Sequence, residues 1–67
     1  MNTDQLKGKW KQFQGAAKAK WGKLTDDDWK TADGDAERLA GKIQEKYGDT
    51  REAAHVEIEK LFQSIGN

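Results

Sequence analysis

Cysteine and proline are both absent from this 67-residue chain, and histidine occurs once. Without cysteine there is no disulfide and no thiol chemistry, and a reducing compartment fits without being required. Without proline, nothing forces a break into a helix. Long apolar runs are missing too: no stretch approaches the length that spans a bilayer, and the opening MNTDQLKGKW has no apolar core of a secretory signal. A soluble, cytoplasmic protein is expected. Only 34% of residues are hydrophobic, 36% are charged and the mean hydropathy is −1.09, so a large core is excluded. Residues 1–67 make one small domain at most. Such a balance leans toward disorder, yet three tryptophans and a clear helical period argue for a folded, thinly cored chain.

Net charge is zero but unevenly placed. Residues 1–24 carry six lysines against the single acid Asp4, a net +5, and residues 25–67 carry a net −5. Such asymmetry can mark a nucleic-acid or membrane face. Mutual neutralisation when the halves fold together is the reading favoured here.

Gly8 to Gly22, GKWKQFQGAAKAKWG, has a weaker echo 26 residues later in Gly34 to Gly48, GDAERLAGKIQEKYG. In register, Gly15 falls on Gly41, Lys20 on Lys46, Phe13 on Leu39, Ala17 on Ile43 and Trp21 on Tyr47. Two copies of one helix with an aromatic-Gly stop account for this. Leu6, Trp10, Phe13, Ala17, Trp21 and Leu24 form one apolar stripe, predicting a first helix of about five turns from Asn2 or Thr3. Asn2 with Gln5 has capping-box spacing, and Gly22 is placed to end the helix in a left-handed conformation. Thr25 then caps a short second helix, with Asp28 at its third position and Trp29 and Ala32 facing inward. Ala36, Leu39, Ala40, Ile43 and Tyr47 line a third helix closed by Gly48. Asp49 with Glu52 opens a fourth, striped by Ala54, Ile58, Leu61, Phe62 and Ile65. The expected fold is all-α: four short helices as two α-hairpins, an approximate internal duplication. A three-helix arrangement, with the second and third helices running together through Gly34, is the alternative.

The words GKWKQFQG, WGKLTDDD and LAGKIQEKYG, in that order from the N-terminus to about Gly48, resemble the CsbD-like family of small bacterial stress-response proteins. The resemblance implies a SAM-domain-like arrangement of two hairpins and a general stress role. It brings no catalytic residues, cofactor or established activity.

Each candidate for chemistry has a plainer explanation. His55 has no cysteine or second imidazole to complete a zinc site, so a surface or half-buried structural role is expected. Asp26, Asp27 and Asp28 run straight into a helix without the alternating ligands and glycine of a calcium loop, which suits capping better. No glycine-rich phosphate loop occurs. Gly15 and Gly41 lie mid-helix, where glycine costs about 0.8–1.0 kcal/mol relative to alanine. Close approach by another backbone and tolerated instability both explain them, and the sequence leaves that choice open. Trp10 and Trp21 stand among lysines as in nucleic-acid stacking sites, but their place on the apolar stripe favours core anchoring. The basic first helix also has the composition of a membrane-surface helix, at the cost of leaving the fold.

An enzyme is not expected, nor a cofactor, metal or small-molecule substrate. A non-enzymatic stress protein that protects or solvates other macromolecules, acting as a monomer, is the favoured reading. The alternative is a nucleic-acid-binding module using Lys7, Lys9, Lys11, Lys18 and Lys23 of the first helix.

Overall fold

The computed structural model describes residues 3–65, and among these the chain is all-helical. Five helices follow one another: α1 (Thr3–Gly8), α2 (Trp10–Lys20), α3 (Asp26–Ala32), α4 (Ala36–Tyr47) and α5 (Arg51–Ile65). The expected first helix is therefore two. Lys9 leaves helical geometry at φ −113° and ψ 18°, and its N–H is shared between the carbonyls of Gln5 at 3.3 Å and Leu6 at 3.1 Å. The adjoining Gly8 lowers the cost of such a tight turn. The apolar stripe hides the break, because Leu6 and Phe13 are both fully buried on either side of it. The proposed cap Asn2 lies outside the described residues.

Thr25 and Asp28 form the expected capping box: the Thr25 side chain accepts from Asp28 N–H at 3.1 Å, and Asp28 Oδ2 accepts from Thr25 N–H at 2.9 Å. The second and third helices are separate. Asp33 (φ 47°) and Gly34 (φ 78°) turn the chain in the left-handed region, and the Asp35 side chain then caps α4 by accepting from Glu37 and Arg38 N–H. Gly34 is doubly required, since a Cβ there would stand 3.2 Å from the Lys7 Cα. Gly48 (φ 76°) ends α4 as expected. Gly22 does not play that part in α2: its φ is not positive, and Trp21 itself closes the helix at φ −115° and ψ 67°. The N-cap of α5 is Thr50, whose Oγ1 accepts from Ala53 N–H at 3.1 Å, one residue after the expected Asp49.

Periodicity locates the core well. Leu6, Phe13, Ala17, Trp21, Leu24, Trp29 and Ala32 meet Leu39, Ala40, Ile43, Ala54 and Ile58 in one buried cluster, with Trp10, Tyr47, Leu61, Phe62 and Ile65 packed around its edge. The pairing of helices departs from two self-contained hairpins. The α4–α5 hairpin is the most extensive contact, α3 lies against α4, and α2 crosses to α5. Consequently α2 and α3, though joined by a short loop, are not closely packed backbone to backbone and meet through long side chains.

Candidate functional site

That separation leaves an open cleft of about 450 Å³, with Trp10, Gln14 and Lys18 of α2 facing Asp26, Trp29 and Lys30 of α3. The residues come together through simple helical spacing. Positions 10, 14 and 18 fall on one stripe of α2, and 26, 29 and 30 on one stripe of α3. Contacts bridge the two helices: Lys18 Nζ lies 3.5 Å from Asp26 Oδ1, and the rings of Trp10 and Trp29 are 5.8 Å apart, tilted by 57°. Trp10 is also stacked on Phe13 at 5.8 Å, which holds it firmly while leaving it half-buried at the edge of the core. Trp21 and Trp29 are buried, and the Trp29 Nε1–H has no acceptor among the described residues. Beside the cleft, a shallower dent of about 260 Å³ is lined by Lys11, Gln14, Gly15 and Lys18. Sequence reasoning singled out Trp10, Gly15, Lys11 and Lys18 separately but missed Gln14 and Lys30. The signal was the row Asp26, Trp29, Lys30, Asp33, which repeats at helical spacing opposite α2.

The five lysines named as nucleic-acid contacts do not share one environment. Lys7 lies on α1 with its backbone against Gly34, and Lys9 occupies the α1–α2 break. Lys11 and Lys18 both line the dent, and Lys18 is paired with Asp26. Lys23 belongs to another surface, its Nζ 5.1 Å from the centre of the Tyr47 ring and its N–H donating to Tyr47 Oη at 2.9 Å. Among the described residues no carboxylate pairs with Lys7, Lys9 or Lys11.

Carboxylates of the acidic half are drawn to specific partners. Asp28 is buried and lies 3.7 Å from Lys42 Nζ and 3.5 Å from Lys46 Nζ. The Thr25 N–H, and after it the charge of Lys46, hold its carboxyl below the ordinary aspartate range against the opposing effect of burial. Glu57 is paired with Lys20 at 3.0 Å, and that hydrogen bond lowers its carboxyl likewise. Asp26, Asp27 and Asp28 are thus dispersed rather than convergent. No three His or acidic side chains among the described residues are placed to share a metal ion.

His55 is half-buried on α5. Its Nε2 lies 3.0 Å from Glu37 Oε1 but off the hydrogen-bond direction, and Glu37 also meets Arg51 at 3.4 Å. The cluster ties α5 to the first turn of α4. Gly41 belongs to it, because the Arg51 guanidinium passes over the site of the missing Cβ at 3.7 Å. No helix among the described residues is long and apolar enough to cross a membrane.

A family model described as CsbD-like matches residues 4–55. A UPF0337 protein of Xanthomonas axonopodis pv. citri is 52% identical over 65 residues, covering 97% of this chain and 94% of the relative. One from Pseudomonas aeruginosa is 57% identical over 58 residues, 87% of this chain and 89% of its own. The UPF0337 protein YjbJ of Escherichia coli K12 is 50% identical over 58 residues, 87% of this chain and 84% of its own. Similarity therefore continues past Gly48, where the sequence words alone gave out. No solved structure matches.

Proposed function

The chain belongs to the CsbD-like family, and from that premise we propose that it is a non-enzymatic stress protein acting by physical contact with other macromolecules. The observation that carries this reading is the pairing of the two charged halves. Lys18 meets Asp26, and Lys20 meets Glu57, each joining the basic residues 1–24 to the acidic residues 25–67. The surface that results is densely charged with both signs interspersed, which keeps it strongly hydrated. Asp28 is engaged as a cap and with Lys42, and Asp26 with Lys18. A monomer working in the cytoplasm, without cofactor or small-molecule substrate, completes the proposal. An approximate internal duplication of α2 and α4 belongs to the same reading, supported by the matching mid-helix positions of Gly15 and Gly41.

The test is protection of a labile enzyme through drying or heating. Activity retained above that given by an equal mass of an inert small protein is expected. Equal or lower retention refutes the reading.

A second reading, nucleic-acid binding through Lys7, Lys9, Lys11, Lys18 and Lys23, is favoured by the lysines near the start of α2 that no described carboxylate neutralises. It predicts duplex binding that weakens steeply with salt, with each lost phosphate contact lowering the log–log slope by about 0.9. A Lys9→Glu, Lys11→Glu variant should abolish it. Unchanged binding by that variant removes the basic-face assignment.

A further inference from the structure

Gly15 has no role inside the fold. It lies within α2, exposed, with ordinary helical backbone, and a Cβ added there would meet nothing within 4 Å. Glycine at such a place lowers helix stability by about 0.8–1.0 kcal/mol relative to alanine, and no neighbouring helix needs the space. What the missing side chain does create is the floor of the dent between Lys11 and Lys18. That dent joins the α2–α3 cleft through Gln14 and Lys18, which line both. One continuous surface thus offers a ridge with two lysines flanking bare backbone, and beside it an aromatic ring in a cleft.

We propose that this surface binds single-stranded nucleic acid, a base entering the cleft against Trp10 while the sugar-phosphate backbone crosses Gly15 between Lys11 and Lys18. The proposal rests on the nucleic-acid reading above and specifies its ligand and site. Trp10 is a suited platform, because it is half-buried rather than buried and is held by Phe13 and Trp29. Base–aromatic stacking needs such a fixed, partly open ring and accepts any base. Bare backbone at glycine lets a ligand chain approach closely, and Lys11 and Lys18 stand one helical turn to either side of it to meet phosphates, Lys18 exchanging its exposed contact with Asp26 for one. Asp26 and Asp33 also line the cleft. They repel phosphate from its interior, so the charged backbone is directed to the dent and the uncharged base to the cleft. Lys30 and Gln14 remain as hydrogen-bond donors to base edges. A paired base cannot enter the cleft, which makes the site selective for single strands over duplex.

The experiment measures affinity of the full chain, at low and physiological salt, for a fluorescent single-stranded oligonucleotide, a duplex of equal charge and anionic lipid vesicles. Variants are Gly15→Gln, Trp10→Leu and, as a charge control outside the surface, Lys60→Gln. The single strand should bind tightest. Trp10→Leu should weaken it by about five-fold or more, while Lys60→Gln changes it little. Gly15→Gln is the decisive variant: it should raise the thermal midpoint, since glutamine favours helix, and still weaken single-strand binding several-fold. If Trp10→Leu fails to fold, Gly15→Gln alone carries the test. Equal affinity for duplex and single strand with Gly15→Gln unchanged overturns the cleft proposal and leaves the basic-face reading standing. Vesicle binding as tight and as variant-sensitive as the oligonucleotide overturns it in favour of a lipid surface. No nucleic-acid binding at low salt removes both.

Discussion

Asp28 accepts a hydrogen bond from the Thr25 backbone N–H at 2.9 Å through Oδ2, the same oxygen that lies 3.5 Å from Lys46 Nζ. One buried carboxylate therefore caps α3 and fastens it to α4. Its pKa is lowered by the Thr25 N–H and by Lys46. A carboxyl lowered on folding contributes stability that is complete above its unfolded value, about 4, and is lost as pH falls through the lower folded value. Asp28→Asn keeps an acceptor for Thr25 but removes the charge. The variant should be less stable at neutral pH, and its deficit should shrink in strong acid. Urea midpoints at about pH 7 and about pH 2.5 read this linkage directly. A deficit that stays constant on acidification would show that the charge plays no part.

The glycines separate by what surrounds them. Gly15→Ala places a methyl group in open space, and Gly41→Ala places one 3.7 Å from the Arg51 guanidinium, an ordinary contact. Each should gain up to about 1 kcal/mol by urea denaturation. Gly34→Ala should instead lose about 1–2 kcal/mol from its left-handed backbone alone, and more because Lys7 of α1 must move. A gain at position 34, or a loss at 15, would contradict these packing assignments.

Local signals in the sequence were legible where one residue type had one use. Thr25, three residues before Asp28, had the capping-box spacing, and the apolar stripes marked Phe13, Trp29, Leu39, Ile43 and Ile58 as core. The α1–α2 break was not legible, because Leu6, Trp10 and Phe13 keep their helical phase across Lys9; only Gly8 hinted at it. Gly22 misled because an aromatic-Gly pair reads the same whether or not the glycine turns left-handed. The cleft was the least legible feature. It depends on α3 leaning on α4 rather than on α2, and the balance between those contacts is tertiary.

Asp49 and Thr50 are both residue types that cap helices, and the Asp49–Glu52 spacing points to the first. The structure uses the second, with Thr50 Oγ1 accepting from Ala53 N–H. Thr50→Ala should then cost about 1 kcal/mol, whereas Asp49→Ala should stay within roughly 0.5 kcal/mol of the parent. Thermal or urea unfolding of the two variants side by side distinguishes the caps. A larger loss from Asp49→Ala would reassign the start of α5.

The pairing of Lys20 with Glu57, at 3.0 Å, is where neutralisation of the basic half by the acidic half is most directly testable. It ties the last turn of α2 to α5, and the Lys20 hydrogen bond keeps the Glu57 carboxyl low. Both side chains remain about two-fifths exposed, so solvent and salt screen the pair, and its coupling should be small. A double-mutant cycle of Lys20→Gln and Glu57→Gln should show favourable coupling at low salt. That coupling should fade at about 1 M salt, where the screening length falls to about 3 Å. It should also fade in acid as Glu57 is protonated, since a lowered carboxyl loses its contribution when pH drops through its folded value. The same cycle bears on function. If the pair couples, Lys20 is withheld from external phosphates, and the charge that no described carboxylate pairs is concentrated at Lys7, Lys9 and Lys11, with Lys18 joining them when it gives up Asp26. If coupling is zero even at low salt, Lys20 is free to join them, and Lys20→Gln should then lower the salt slope of nucleic-acid binding as much as Lys11→Gln does.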